Sequence, residues 1–236
     1  MTSTPAVTPH TEIRADWQLS ITVDMVLRGQ GADPVNIRQR QPRLVALAER
    51  AIAEGTPWLR PQIAFSILDV VEPQPGRVLL SNGTELKGFG IVRKLAGAAS
   101  VIAVVATLGS ELERQIQLAT QDQPAFALSL DGFGTAAIRA LTTALRHFFA
   151  EKAGGPLATT PPFYPGMRGW ELAPAQTQLF SLVDASPIGV TLNSSFLMIP
   201  TKSVSMVIGV GTKLQPAAPP CEECGASSTC THKLSS

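Results

Sequence analysis

Apolar and polar positions divide the chain into stretches of helical and of strand period. From Asn36 to Ala53, "NIRQRQPRLVALAERAIA" places Leu44, Leu47, Ala48, Ala51 and Ile52 on one face and Arg and Glu on the other, which predicts one amphipathic helix ending near Gly55 and Pro57. Gln62 to Glu72 is rich in β-forming residues. It is followed by the turn "PQPG" and by a second strand, "RVLLSNG", that closes at Asn82-Gly83, a hairpin signal; a meander of at most three strands is expected. "SVIAVVAT", Ser100 to Thr107, is continuously apolar and β-branched, which predicts a strand buried on both faces. Ser110 is placed to N-cap a helix beginning "ELERQIQLA", with acidic residues in the first turn where the helix dipole favours them. Ile138, Leu141, Leu145 and Phe148 or Phe149 follow helical spacing within a longer helix, Gly134 to Lys152, stopped by Gly154-Gly155-Pro156. Beyond it lie a Pro-rich connection over 156–174, a short helix in "AQTQLFSLVDA", an irregular stretch "SPIGVTLNSSFLMIP", and an alternating strand "KSVSMVIGVG".

Composition narrows the class. The chain has 236 residues, 44% hydrophobic and 16% charged, which is enough apolar material for a core that folds without a metal. A net charge of +1 with scattered Lys and Arg argues against nucleic acid as a partner. The N-terminus, "MTSTPAVTPHTEIRADW", lacks the basic start and apolar run of a secretory signal, and the uncharged stretch Leu95 to Ser110 is shorter than the roughly 20 apolar residues of a membrane span. No membrane association and a cytoplasmic location are expected. The domain plan is a disordered lead-in over 1–15, a folded unit over 16–214, and a Pro/Ala linker with a Cys-rich tail over 215–236.

Three features carry candidate chemistry. The Gly-x-Gly pairs Gly29/Gly31 and Gly209/Gly211 lack the strand, glycine turn and helix context of a dinucleotide site and read as ordinary turns. His10 in the lead-in and His147 beside Phe148 give no hydrolytic triad. The loop "FYPGMRGW" differs: Gly166 and Gly169 let backbone approach a ligand, while Tyr164, Met167 and Trp170 offer flat or polarizable surface suited to an adenine or a sulfonium. The alternative is a Pro-stiffened connection whose aromatics cap the core. At the C-terminus, Cys221, Cys224, Cys230 and His232 form a C-x2-C-x5-C-x-H pattern that can supply a tetrahedral zinc site or three thiolates of a 4Fe–4S cluster; a reversible CxxC disulfide is the third reading.

From Pro165 to Ser205 the sequence resembles the activation domain of cobalamin-dependent methionine synthase, particularly its free-standing relatives. There an Arg-x-Ser-Pro-Gly-Tyr-x-x-Trp stretch precedes a short helix, an "IGV-L--S--M-P-KSVSG" stretch and often a Cys-rich tail. "ATLGSELERQI" and "LDGFGTAAIRALTTALRHFF" extend the likeness upstream to about Gln62. The resemblance implies an α+β fold with a central mixed or antiparallel twisted sheet and flanking helices. It implies reductive reactivation of a corrinoid protein, or of methionine synthase modules, supplied in trans: S-adenosylmethionine gives its methyl group to cobalamin presented by the partner, and flavodoxin or ferredoxin gives the electron. That is methyltransferase-type chemistry, with Tyr164, Pro165, Gly166, Met167, Arg168, Trp170 and Arg139 about the ligand and an iron–sulfur site on the tail. The departures are specific: the family's Arg falls on Pro162, its small residue on Tyr164, its Tyr on Met167, and its helical acidic residue on or near Arg139. They leave a second expectation, a non-catalytic corrinoid-protein binding partner with a zinc-binding or redox-sensing tail. An unrelated redox adaptor acting through Cys221 and Cys224 is a third.

Overall fold

The β-branched and apolar residues from 62 onward form one long strand around which a sheet is assembled. A computed structural model of the chain describes residues 10–74 and 76–214. In chain order the strands are β1 (Glu12–Arg14), β2 (Gln62–Gln74), β3 (Arg77–Leu80), β4 (Glu85–Lys87), β5 (Ser100–Thr107), β6 (Ala158–Thr159), β7 (Thr191–Leu192), β8 (Met198–Ile199) and β9 (Ser203–Gly211). The helices are α1 (Val23–Gly29), α2 (Pro34–Arg40), α3 (Pro42–Gly55), α4 (Phe89–Lys94), α5 (Glu111–Asp122), α6 (Pro124–Ala153) and α7 (Leu172–Phe180). The main sheet runs β4-β3-β2-β5-β9-β6, with β1 also on β2, and β7 and β8 make a separate hairpin. Every pairing is antiparallel. This is an α+β domain with a curled antiparallel sheet and flanking helices, as the sequence leads one to expect.

Helices cover both faces of that sheet, which explains the unbroken apolar run of β5. Val101, Ala103 and Val105 point to a core shared with Ile91 of α4 and Ala175 and Leu179 of α7; Ile102, Val104 and Ala106 point to one shared with Leu141, Leu145 and Phe149 of α6. An antiparallel strand covered on one face would alternate with polar residues; covered on both it cannot. A third core lies between helices, where Val26 and Leu27 of α1, Ala48 and Ala51 of α3 and Leu112 of α5 meet Phe126, Leu130 and Phe133 of α6. Each such buried Leu or Phe contributes roughly 1.5–3 kcal/mol.

The structure differs from expectation at several places. The helix expected over Asn36–Ala53 is two helices, because Pro42 forces Gln41 out of the helical region, to φ −140° and ψ 63°. α6 begins at Pro124, ten residues before the expected Gly134, and Gly132 and Gly134 lie inside it. These glycines are packing devices: a Cβ on Gly132 would lie 2.5 Å from Gln30 Cγ and 2.9 Å from the Val26 carbonyl, and one on Gly29 would be driven into the Gly132 carbonyl, so α1 crosses α6 backbone to backbone. Gly209 and Gly211 belong to β9 rather than to turns, and a Cβ on Gly211 would lie 2.6 Å from the Gly97 carbonyl. Ser110 occupies the N-cap position of α5 without a side-chain cap bond. Residues 12–14, inside the expected lead-in, pair with β2 as β1. The Asn82-Gly83 turn closes β3 onto β4, with Thr84 N–H donating to Asn82 Oδ1 at 3.0 Å. Among the described residues no helix is long and apolar enough to cross a membrane.

Candidate functional site

The loop after α6 reaches β9 and leaves it again, and that departure opens a cleft. Phe163 exchanges two backbone hydrogen bonds with Val207, N–H to O at 2.9 and 3.0 Å. The loop then folds on itself: Met167 N–H donates to the Tyr164 carbonyl at 3.1 Å, Trp170 N–H to the Met167 carbonyl at 2.9 Å and Gly166 N–H to the Trp170 carbonyl at 2.9 Å. Gly166 and Gly169 have φ of 90° and 80°, left-handed values that glycine takes without strain. Tyr164 N–H faces Met167 Sδ at 3.3 Å.

The loop is docked through glycine. Gly90, in the first turn of α4, donates its N–H to the Gly169 carbonyl at 3.0 Å. A Cβ on Gly90 would lie 2.2 Å from the Arg168 carbonyl, and one on Gly88 2.4 Å from the Gly169 carbonyl. Trp170 locks the same junction from beneath: 1% exposed, it stacks on Phe163 at 5.8 Å and 19°, and its indole N–H donates to Gln178 Oε1 at 3.3 Å. That oxygen also accepts the Lys87 N–H of β4 at 2.9 Å.

Because β6 and Phe163 cover only the far half of β9, the edge at Ser203–Ser205 is open among the described residues. Hydrogen-bonding direction alternates along a strand: Val207 and Gly209 pair outward with Phe163 and Thr160, whereas the Lys202 carbonyl pairs inward with Leu108 N–H. The N–H and C=O groups of Ser203 and Ser205 therefore point away from β5, toward a cleft of about 360 Å³ that these serines line with Tyr164, Pro165, Leu172 and Gln176; Ser203 is half-buried there and Ser205 buried. Leu197 and Met198 of the β7–β8 hairpin form the opposite wall, with Thr201 at the rim. Gln176, 3% exposed, accepts the Ser205 hydroxyl at Oε1 (2.9 Å), which leaves its NH₂ for the cleft.

Among the described residues no ionised side chain lines this space. The nearest charges are held by neighbours. Lys202 Nζ binds Asp131 at 2.8 Å and the Thr135 hydroxyl at 3.2 Å, both on α6, and Glu113 accepts the Thr201 N–H at 3.0 Å. Burial pushes the Tyr164 phenol up, against the opposing pull of the Arg146 guanidinium.

Of the residues singled out in the sequence, Tyr164 and Pro165 line the cleft, Gly166 is exposed at the loop's bend, and Met167 is half-buried against the core beside α7. Arg168 is exposed on the loop and Arg139 is exposed on α6; neither lines the cleft. Trp170 is a core residue that positions the loop, as in the core-capping reading. Cys221, Cys224, Cys230 and His232 lie outside the described residues; among the described residues no group of three or more His, Cys, Asp or Glu can hold a metal. Sequence reasoning passed over Gln176, Ser203 and Ser205, and also Gly88/Gly90. The available signals were a Gln on the apolar face of a short helix and a further Gly-x-Gly pair, Gly88/Gly90, at a strand-to-helix junction.

No protein-family model matches the chain, and no curated protein sequence matches it. Among solved structures, the crystal structure of the MetH reactivation domain bound to AdoHcy superimposes with a TM-score of 0.58 at 14% identity, over 90% of this chain and 82% of that one. The chain has the fold of that reactivation domain.

Proposed function

We propose that the cleft at the open edge of β9 binds an S-adenosyl ligand and that the protein serves the reductive reactivation of a corrinoid protein supplied in trans. The observation that carries this reading is the cleft itself, built beside the "FYPGMRGW" loop on a fold shared with a reactivation domain that binds AdoHcy. Its size, its backbone donors and acceptors at Ser203 and Ser205 and its buried carboxamide suit a nucleoside: a few placed polar groups among apolar walls. The ligand supplies a sulfonium methyl group. The chain's part is to hold the nucleoside against Leu172, Leu197 and Met198 and to keep the loop fixed through Gly90 and Trp170. Reduction of Co(II) to Co(I) by flavodoxin or ferredoxin is then drawn forward when the S–CH₃ bond breaks and a Co–CH₃ bond forms, releasing the thioether.

Cys221, Cys224 and Cys230, with or without His232, are assigned in this reading to an iron–sulfur or zinc site that serves electron entry or anchors the tail. The test is direct. Full-length protein, a corrinoid protein in the Co(II) state, a one-electron reductant and S-adenosylmethionine labelled in the methyl group should yield labelled methylcobalamin, and an anaerobic preparation should carry thiolate-to-iron absorbance. One observation favours the non-catalytic alternative: Pro162 stands where the resembled family has its Arg, and among the described residues no cation lines the cleft. Binding of the corrinoid protein without label transfer would select it.

A further inference from the structure

The lining of the β9 cleft bears on which part of an S-adenosyl ligand is recognised. S-Adenosylmethionine carries a carboxylate, an ammonium and a sulfonium, and buried sites that hold such groups pair them with opposite charge, most often a bidentate Arg for the carboxylate. Among the described residues every side chain lining this cleft is neutral. Lys202 is turned to Asp131 and Thr135 on α6, and Glu113 is engaged by the Thr201 amide. Arg146 acts on Tyr164 from an exposed position on α6 outside the lining; Arg139, also exposed on α6, is outside the lining too. What the cleft does offer is matched to an uncharged heterocycle. The N–H and C=O of the half-buried Ser203 lie side by side on the strand edge, a donor and an acceptor complementary to the ring-nitrogen and amino edge of adenine. The NH₂ of the almost wholly buried Gln176 adds a donor that no described residue satisfies.

We infer that this cleft recognises the adenosyl part of its ligand through neutral groups alone, so that 5′-methylthioadenosine carries the whole recognised structure, and that the amino-acid end of a larger S-adenosyl ligand stays at the mouth in water without contributing selectivity. The inference rests on the nucleoside-site reading above and goes beyond it by removing the methionyl group from the recognition. A ligand held by neutral hydrogen bonds and apolar walls binds independently of salt, since there is no ion pair to screen.

Calorimetric titration of the full chain with 5′-methylthioadenosine, S-adenosylhomocysteine and S-adenosylmethionine tests it. The expected result is that the first two agree in Kd within about threefold, with less than about twofold change between about 50 and 500 mM NaCl. Gln176→Leu should weaken both by about tenfold or more through loss of the same hydrogen bond, with an unchanged circular dichroism spectrum. Arg146→Gln should leave their ratio unaltered. S-Adenosylhomocysteine binding more than about thirtyfold tighter than 5′-methylthioadenosine, or losing that advantage in Arg146→Gln, would overturn the inference while leaving the nucleoside site standing. Heat from none of the three at millimolar concentration would overturn both.

Discussion

Gly90→Ala tests how the candidate loop is positioned. A methyl group there would sit 2.2 Å from the Arg168 carbonyl oxygen and 3.1 Å from the Gly169 carbonyl carbon, both backbone atoms. Ordinary contact requires more than a further ångström, and no rotamer change can supply it, so the loop must lift from α4. Lifting also stretches the 3.0 Å hydrogen bond from Gly90 N–H to Gly169. Overpacking of this kind costs about 1–3 kcal/mol and the weakened hydrogen bond about 1. Against this, exchanging Gly for Ala in a helix gains at most about 1 kcal/mol, and less in a first turn. The clash wins: the net is a destabilisation of about 2 kcal/mol, or a fall in Tm of roughly 4–8 °C for a domain of this size. Urea unfolding followed by tryptophan fluorescence and by circular dichroism measures it, with the m-value unchanged. Affinity for S-adenosylhomocysteine should fall with it, because Tyr164 and Pro165 ride on the loop. Stability within about 0.5 kcal/mol of wild type, in either direction, would refute the backbone-on-backbone docking.

Other outcomes follow from the same geometry. Gly132→Ala, which by helix propensity alone should stabilise α6, is expected to destabilise by about 1–2 kcal/mol in chemical unfolding because its methyl group meets Gln30 and the Val26 carbonyl. Lys202→Met removes the ties to Asp131 and Thr135; as Asp131 is 52% exposed the loss in thermal stability should stay under about 1 kcal/mol, while ligand affinity falls more than that because Thr201 and Ser203 flank the residue. Hydrogen bonds from Arg114 and Gln115 hold Glu111 down at about 2, below its ordinary 4.5. Its contribution is therefore complete above pH 4.5 and is lost as pH falls toward 2, and Glu111→Gln should flatten the acid limb of a melting-temperature profile in that window. Tyr164 titrates in the other direction: burial favours its neutral phenol, so its contribution holds below the ordinary value of 10.0 and fades as pH climbs past it, and a Tyr164→Phe protein should lose the late phenolate absorbance step in an ultraviolet titration.

How much of this was legible in the sequence depended on the range of the interaction. The apolar run of β5 announced a strand buried on both faces, and the periodicity of Leu141, Leu145 and Phe149 announced α6, because burial writes itself into local residue order. The break between α2 and α3 was also written locally, in Pro42, but the periodicity on its far side masked it. The N-terminal third of α6 was not legible, since Gly134 reads as the helix start until α1, α5 and Lys202 are seen to need the space at Gly132 and Gly134. The site divides the same way. The "FYPGMRGW" loop stood out by composition, whereas the separation of its roles, Tyr164 toward the cleft and Trp170 into the core, depends on Phe163 bridging Val207 some forty residues later in the chain. Gln176 and the open edge at Ser203 and Ser205 are properties of strand pairing: nothing in "KSVSMVIGVG" says which neighbour stops short.

The central claim, that the open edge of β9 holds an S-adenosyl thioether, is tested most directly by amide chemical shifts of the isotope-labelled full chain titrated with S-adenosylhomocysteine. The account predicts saturable shifts centred on the backbone amides of Ser203 and Ser205 and the side-chain NH₂ of Gln176, with the amides of β1 and α3 unmoved. Saturable shifts that leave those three groups in place would contradict it.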